Sequence, residues 1–342
     1  MSDVNRQWRL AKHAHGMVGP DNFEWSESEI PDVVDGSVLV RNLFLSFDPT
    51  QRGWMEDRPS YIPPVKLGEV MRATSIGQVV ESKNPNFAPG DFVQGLFGWQ
   101  DYHLASVAGP LTLSKVPDGM APERMLSVLG LTGITAYFGL LELGEPKPGE
   151  TVLVSGAAGA TGSVAAQIAR IKGCRVVGIA GGPEKVAWLL DEAHLDAAID
   201  YKSEDVRARI TELCPDGIDV YFDNVGGDIL EAALDAIAER ARIVLCGGIS
   251  GYNDVKPSPG PNNLMNLIMK RARMEGFIVI DYMRRSGEAI RQLAEWVDSG
   301  ELVVIEDMQE GLENAPQTLQ RLFTGANLGK QLLKIADAPI DR

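Results

Sequence analysis

From residue 129 onward, the hydrophobic and polar positions alternate between a spacing typical of strands and a spacing typical of helices. Short apolar, β-branched runs predict strands at Thr151–Ser155, Arg175–Ala180, Ala197–Asp200, Asp219–Asp223 and Arg242–Cys246. The stretches between them predict helices at Gly162–Lys172, Pro183–Glu192, Glu204–Leu213 and Asp228–Ile237. Strands that alternate with helices form βαβ units around a parallel sheet. Residues 129–299 are therefore expected to form an α/β domain with a doubly wound parallel sheet.

Residues 1–128 follow a different pattern, in which short apolar runs are separated by turn sequences such as Val18-Gly-Pro-Asp and Asn84-Pro-Asn. The runs Ser37–Leu45 and Ile76–Glu81 predict strands, and such spacing is typical of an irregular, β-rich domain. Residues 300–342 contain a predicted strand, Glu301–Ile305, and a predicted amphipathic helix, Glu313–Phe323. This last stretch is too short for a domain, so we expect it to pack back on the first one.

Length and charge narrow the class of protein. At 342 residues the chain is longer than one hydrophobic core usually organises, which agrees with two domains. The net charge of −15 argues against nucleic acid or an anionic membrane as the main partner. The first sixteen residues lack an apolar segment, and Cys174, Cys214 and Cys246 lack the spacing of metal ligands. We expect a cytoplasmic protein with free thiols.

The six residues Ala157-Ala-Gly-Ala-Thr-Gly162 directly follow the first predicted strand of the α/β domain. Dinucleotide-binding turns have the pattern G-x-G-x-x-G, and here Gly159 and Gly162 supply the later glycines, while Gly156 precedes the position that Ala157 occupies. Small residues leave backbone amides open to phosphate at the start of a helix. A glycine turn that serves packing alone is the alternative. The strand–turn–helix setting favours a dinucleotide site.

The end of the second predicted strand indicates which dinucleotide binds. NAD sites usually carry Asp or Glu there, but this chain has Gly178-Ile-Ala-Gly-Gly-Pro-Glu-Lys185. Lys185 would attract a 2′-phosphate, whereas Glu184 is expected to cap the following helix. An ordinary surface lysine is the alternative interpretation of Lys185. The pattern predicts NADP(H) as the cofactor.

The sequence does not predict a metal centre. A catalytic zinc needs about three protein ligands, but residues 1–128 have no cysteine and only His13, His15 and His103. The first two are expected in an exposed segment, and His103, which could line a cleft, has no evident partner set. A hydride carrier is therefore expected to perform the chemistry.

Nine segments share the pattern of one known family: Phe47–Met55, Leu67–Met71, Gly133–Tyr137, Gly156–Ser163, Gly181–Lys185, Asp200–Lys202, Asp223–Gly227, Cys246–Asn253 and Asn327–Lys330. With them the chain resembles, nearly end to end, the medium-chain dehydrogenase/reductase superfamily. Within it, the chain is similar to the zinc-independent, NADPH-dependent alkenal/one reductases, a group that includes prostaglandin reductase 1 and bacterial curcumin reductase. The resemblance implies a Rossmann domain at 129–299 and a GroES-like catalytic domain at 1–128.

The resemblance also implies a set of cofactor contacts. Lys185 and Tyr201 would hold the 2′-phosphate, Asn224 would lie near the ribose and nicotinamide, and Asn327 would close the site. The other implied contacts are Gly159, Ala160, Thr161, Gly162, Cys246, Gly247, Ile249, Tyr252, Phe277 and Val279. A packed aromatic residue is the alternative for Tyr201, and a turn residue is the alternative for Asn224.

The activity that the resemblance implies is reduction of the carbon–carbon double bond of α,β-unsaturated aldehydes and ketones. Hydride would reach the β-carbon, and the α-carbon would take a proton from Tyr252, the cofactor ribose or water. A cleft-wall role is the alternative for Tyr252. Tyr61, Tyr282 and Met283 are expected near the substrate.

The sequence of the first domain differs from the family pattern at two places. Leu67-Gly-Glu69 replaces the Gly-His-Glu of zinc-bearing relatives, and Asp48-Pro-Thr-Gln-Arg52 lacks the tyrosine that many family members have. The second departure alters the substrate pocket. Arg52 is expected to be an ion-pair partner of Glu69 rather than a catalytic group.

Other functions remain open from the sequence. They are a zinc-independent quinone reductase, an alcohol dehydrogenase and a non-catalytic NADPH-binding protein. The family commonly forms dimers through sheet edges, so a homodimer is expected, with Met274–Ile280 as the edge segment.

Overall fold

The structure is a computed structural model, and it describes residues 4–106, 113–117, 119–256 and 259–340. The chain divides into two compact units. The first consists of Met1–Ser127, Glu306–Asn327 and Gln331–Arg342, and the second of Val128–Ile305 and Leu328–Lys330. Each unit has a large sheet and an apolar core of its own.

The described residues form fifteen strands: β1 (Asn5–Leu10), β2 (Phe23–Ser28), β3 (Ser37–Ser46), β4 (Ser75–Ser82), β5 (Phe92–Gly95), β6 (Tyr102–Ser106), β7 (Ser114–Lys115), β8 (Thr151–Ser155), β9 (Arg175–Ala180), β10 (Ala197–Asp200), β11 (Ile218–Asp223), β12 (Ile237–Leu245), β13 (Arg273–Gly276), β14 (Glu306–Glu310) and β15 (Lys330–Lys334).

The α-helices of the same residues are α1 (Thr50–Trp54), α2 (Leu131–Phe138), α3 (Ala160–Ile171), α4 (Pro183–Asp191), α5 (Val206–Leu213), α6 (Gly227–Asp235), α7 (Met265–Lys270), α8 (Ser286–Asp298) and α9 (Ala315–Thr324). A π-helical segment, Gly139–Gly144, continues α2, and a 3₁₀ segment, Val279–Arg285, precedes α8. None of the described helices is long and apolar enough to cross a membrane.

The first unit is built on a seven-stranded sheet with the order β14-β15-β3-β4-β5-β7, in which β6 also pairs with β3. Its core packs Phe47, Trp99 and Leu10 against Leu319 of α9. The indole nitrogen of Trp8 donates to the Leu312 carbonyl oxygen at 2.9 Å. The C-terminal elements β14, α9 and β15 therefore complete this unit.

The second unit contains a six-stranded sheet with the order β10-β9-β8-β11-β12-β13, in which every neighbouring pair is parallel. Numbered from β8, this is the order 3-2-1-4-5-6 of the classical dinucleotide-binding fold. The expected α/β fold with a doubly wound parallel sheet is confirmed. The central strands β8, β9 and β11 are largely buried, as expected where helices cover both faces of a parallel sheet.

Two predicted strands differ from the structure. The predicted strand Glu301–Ile305 is wrong, because the Gln167 side chain engages the backbone there: its oxygen accepts from Val303 N at 2.8 Å, and its amide donates to Val303 O at 3.0 Å. The strand forms instead at β14, next to β15. The expected edge segment Met274–Ile280 holds strand only as far as Gly276, where β13 ends.

Candidate active site

The second unit has a topological switch point between β8 and β11. Successive strands run outward from β8 in one direction and from β11 in the other, so the loops that follow these two strands diverge and leave a crevice. In open parallel sheets, ligands bind in that crevice, beyond the carboxyl ends of the strands. The Gly156–Gly162 turn follows β8, and the Asn224–Gly227 turn follows β11.

The turn after β8 presents backbone rather than side chains. Gly156 has a positive φ of 58°, and Gly159 is the N-cap of α3. A Cβ on Gly162 would lie 2.2 Å from the Gly156 carbonyl oxygen, so only glycine allows α3 to begin this close to the turn. The N-terminus of α3 therefore lies directly beside this turn, and the positive end of a helix attracts anions. This arrangement fits the pyrophosphate of a dinucleotide.

The turn after β11 is attached to β8 by a polar network. Ser155 Oγ donates to Asp223 Oδ1 at 2.7 Å and accepts from Asn224 N at 2.9 Å. The Asn224 side-chain amide donates to the Ser155 carbonyl oxygen at 2.7 Å. Gly226 and Gly227 both adopt positive φ. The Asn224 side chain thus anchors the turn, as the alternative interpretation of Asn224 as a turn residue predicts. Its contact with a cofactor stays a prediction.

The Gly181–Gly182 turn after β9 lies beside Tyr201. A Cβ on Gly181 would be 2.6 Å from the Tyr201 ring, and Tyr201 N donates to Ala180 O at 3.1 Å. Lys185 is partly exposed in the first turn of α4, and Tyr201 is 45% exposed. A glycine turn with a lysine and a phenol nearby fits a 2′-phosphate.

The acidic residue that holds this turn is Asp200. Asp200 Oδ1 accepts from Gly182 N at 2.8 Å and from Lys202 N at 3.0 Å, and these bonds, the Gly182 one first, lower the pKa of the carboxyl. Glu184 lies in the first turn of α4, near the positive end of the helix dipole, and Gly182 is the N-cap.

The segment after β12 contains Cys246, Gly247, Gly248, Ile249 and Tyr252. Cys246 N and Gly247 N donate to the Asp223 carbonyl oxygen at 2.9 and 3.1 Å, so the segment starts beside the turn after β11. Gly248 N donates to the Tyr252 phenolic oxygen at 3.3 Å. The Tyr252 phenol thus lies beside the Gly247–Gly248 backbone.

An aromatic cluster supports the segment after β13. Phe277 packs on Gly139, where a Cβ would lie 2.4 Å from its ring, and its ring centroid is 6.2 Å from that of Tyr282. Tyr282 stacks on Phe138 at 4.9 Å. Val279 begins the 3₁₀ segment that carries Tyr282 and Met283. These four predicted site residues therefore form one local group.

Two predicted site residues, Tyr61 and Asn327, belong to the first unit. The Tyr61 hydroxyl is hydrogen-bonded to Thr50 Oγ1, and half of the Tyr61 side chain is exposed. Asn327 is buried and directly precedes Leu328–Lys330, within which Gly329 N donates to Ala158 O of the glycine turn at 2.8 Å.

The other first-unit residues have local roles. Arg52 is buried and pairs with Glu56 at 2.7 Å, so the expected pair with Glu69 is wrong; the Glu69 carboxylate accepts from Lys66 N instead. His103 stacks on Phe97, and burial lowers its pKa to about 4.

No group of three or more metal-ligating side chains occurs among the residues that the structure describes. The three cysteines are free. Burial raises the pKa of Cys174 and of Cys214 to about 11, and burial together with the Asp223 charge raises that of Cys246 to about 12.

Sequence reasoning missed the acidic residues that hold the turns, Asp200 and Asp223. Each is the last residue of a parallel strand and is followed by a turn or a polar segment. An acidic residue at the end of a predicted parallel strand, directly before a turn or a polar segment, is the sequence signal that could have identified them.

Comparison with known proteins relates both parts of the chain to dehydrogenases. Residues 6–113 match the family model "N-terminal domain of oxidoreductase", and residues 160–299 match the model "Zinc-binding dehydrogenase". The chain is 42% identical to the NADPH-dependent curcumin reductase of Escherichia coli K12 over 97% of each chain. It is 41% identical to the 2-alkenal reductase (NADP(+)-dependent) of Nicotiana tabacum, covering 97% of this chain and 98% of that protein.

One solved structure is similar to this chain in both sequence and fold. The crystal structure of CurA from Vibrio vulnificus in complex with NADPH matches with a TM-score of 0.91 and 40% identity, covering 97% of this chain and 99% of that one.

Proposed function

Because the chain belongs to the zinc-independent, NADPH-dependent alkenal/one reductases of the medium-chain dehydrogenase/reductase superfamily, we propose that it reduces the carbon–carbon double bond of α,β-unsaturated aldehydes and ketones. The observation that carries this proposal is identity above 40%, over nearly the whole of both chains, to two NADP-dependent reductases. The open glycine turn at the switch point supports it. When bound, NADPH supplies the hydride for the β-carbon.

The residues of the second unit bind and orient the cofactor. The α3 amides at Ala160, Thr161 and Gly162 receive the pyrophosphate, with Gly159 giving close approach. Lys185 neutralises the 2′-phosphate, and the Tyr201 hydroxyl adds a hydrogen bond to it. Both groups stand beside the Gly181–Gly182 turn, which agrees with this assignment.

The nicotinamide end is bordered by backbone. The segment of Cys246, Gly247 and Ile249 and the segment of Phe277 and Val279 line it, and Asn224 lies near the ribose and nicotinamide. Both segments follow the carboxyl ends of neighbouring parallel strands, β12 and β13, and so lie on the side of the sheet where ligands bind.

Tyr252 supplies the proton. A phenol can donate to the enolate oxygen or to the α-carbon as negative charge develops there. In this chain the Tyr252 oxygen accepts from Gly248 N, so that bond does not use the phenolic proton. Tyr282 and Met283 contribute to the substrate pocket from the second unit.

The experiment that tests the function follows NADPH oxidation with a medium-chain 2-alkenal, the matching saturated aldehyde and a quinone, with products identified by mass. The expected result is oxidation with the alkenal alone and a saturated aldehyde as product. Faster turnover of the quinone would assign the chain to quinone reduction instead. NADPH binding without turnover of any of the three would contradict an enzymatic role.

We also propose that the protein is a cytoplasmic homodimer that associates through the β13 edge. That edge strand is largely exposed, and apolar side chains stand exposed around it on Met265, Ile268, Met269 and Ile280. Open strand edges beside apolar surface favour pairing with a second copy. The free thiols agree with a reducing compartment.

The oligomeric state is measurable by sedimentation. We expect the wild type to sediment as a dimer and Ile268→Glu as a monomer. The control is Val34→Glu, a similarly exposed apolar position in the first unit, which should stay dimeric. A monomeric wild type, or a dimeric Ile268→Glu variant, would contradict this interface.

A further inference from the structure

Asp223 is a buried carboxylate at the centre of the switch point. It ends β11, and its side chain is fully buried. Within the described part of the chain, Oδ1 accepts from Ser155 Oγ and Tyr221 OH, both at 2.7 Å, and from the Val225 and Gly226 amides, both at 3.0 Å. These donors are all neutral. One oxygen of this side chain therefore accepts hydrogen bonds from four different groups.

These contacts join the two turns of the crevice. Ser155 is the last residue of β8 and directly precedes Gly156, whereas Val225 and Gly226 form the turn after β11. Ser155 Oγ accepts from Asn224 N, so its proton is directed to Asp223. The Asp223 carboxylate therefore links the two glycine turns, together with the direct bonds between Asn224 and Ser155.

The backbone of Asp223 reaches a third segment. Its carbonyl oxygen accepts from Cys246 N and Gly247 N, and Ser250 N donates to Val225 O at 3.1 Å. The turn that Asp223 holds is thus continuous with the segment proposed to border the nicotinamide. A shift of Asp223 would therefore reach the turns after β8 and β11 and the segment after β12.

We propose that Asp223 is a positioning residue for NADPH, which holds the Ser155–Gly156 and Asn224–Gly227 turns at the spacing that receives the dinucleotide. This inference rests on the proposed function, because the ligand is NADPH. Asp223 does not touch the substrate. It acts through Ser155 and the backbone amides of the turn.

Tyr221 provides a matched control. Its hydroxyl donates to the same oxygen at the same distance as Ser155 Oγ, and it is equally buried. Tyr221 lies within β11 and belongs to neither turn. Tyr221→Phe and Ser155→Ala therefore each remove one hydroxyl donor from Asp223, but Ser155→Ala also removes the acceptor of Asn224 N and so releases the turn after β11.

The test measures the Kd of NADPH by fluorescence titration, the Tm of the ligand-free protein and the kinetic constants for the alkenal. Loss of the link in Ser155→Ala should raise the Kd and KM of NADPH about tenfold, with kcat at saturating NADPH within about twofold of wild type. Both Ser155→Ala and Tyr221→Phe should lower Tm, because each removes one hydroxyl donor from Asp223. Tyr221→Phe, however, should leave the Kd of NADPH unchanged. Asp223→Asn, which keeps an oxygen acceptor, should fall between wild type and Ser155→Ala.

Equal losses of Tm and affinity in both variants, or wild-type affinity in Ser155→Ala, would overturn the positioning role. Failure of the wild type itself to bind NADPH would instead refute the proposed function, and this inference with it.

Discussion

The contact between Gly162 and the preceding turn allows a quantitative test of the cofactor site. In Gly162→Ala, the added Cβ would lie 2.2 Å from the Gly156 carbonyl oxygen and 2.8 Å from its carbon. Ordinary C···O contacts are about 3.3 Å, so the turn must move by roughly 1 Å. Overpacking of this kind costs about 1–3 kcal/mol, while alanine gains about 1 kcal/mol over glycine inside a helix. The net destabilisation expected is therefore about 0–2 kcal/mol.

Affinity should suffer more than stability, because the displaced backbone is the part that meets the pyrophosphate. Loss of a hydrogen bond to a charged group costs about 1.5–3 kcal/mol, so we expect the Kd of NADPH to rise by about 10- to 100-fold. Fluorescence titration measures the Kd, and urea unfolding measures the free energy.

The control is Gly287→Ala, near the start of α8, where an added Cβ has no neighbour within 4 Å. It should gain about 0.4–1 kcal/mol of stability and keep the wild-type Kd. A Gly162→Ala protein with wild-type affinity for NADPH would refute the reasoning.

Further predictions concern charge, pH and proton transfer. Lys185→Ala should raise KM for NADPH about 10- to 100-fold and leave KM for NADH unchanged, with Lys202→Ala as the control; an equal rise for both cofactors would contradict a 2′-phosphate contact. Because the pKa of His103 falls from 6.5 to about 4 on folding, its contribution is complete above pH 6.5 and is lost as the pH falls toward 4. The Tm of His103→Gln should therefore drop less than that of wild type between pH 7 and 4.5, and parallel drops would exclude this role. Tyr252→Phe should lower kcat by about 100-fold at an unchanged Kd for NADPH, whereas unchanged turnover would remove the proton-donor role.

The sequence predicted the second unit well because its signals are local. Strands β8, β9 and β10 begin and end at the predicted residues, since each is a short apolar run between turn residues. The glycine turn after β8 is also recognisable from adjacent residues, because a run of residues with small side chains after a strand indicates a backbone that a ligand can approach closely.

Long-range pairing explains what the sequence did not predict. Glu306–Glu310 is too polar to be recognised as a strand, yet it forms β14 because β15 pairs with it. The apolar residues before it do not form a strand, because the backbone at Val303 is hydrogen-bonded to the side chain of Gln167, 136 residues away in the chain. The role of Asp223 was not predicted for the same reason, because its partner Ser155 is 68 residues away in the chain.

The state of the thiols has a consequence for an enzyme whose proposed substrates are soft electrophiles. α,β-Unsaturated aldehydes alkylate thiolates, and the raised pKa values of Cys174, Cys214 and Cys246 keep all three cysteines as unreactive thiols near neutral pH. The folded protein thus resists modification by the compounds it consumes. Unfolding removes that protection from all three sulfurs at once, so alkylation by its own substrates would make the loss of the fold irreversible.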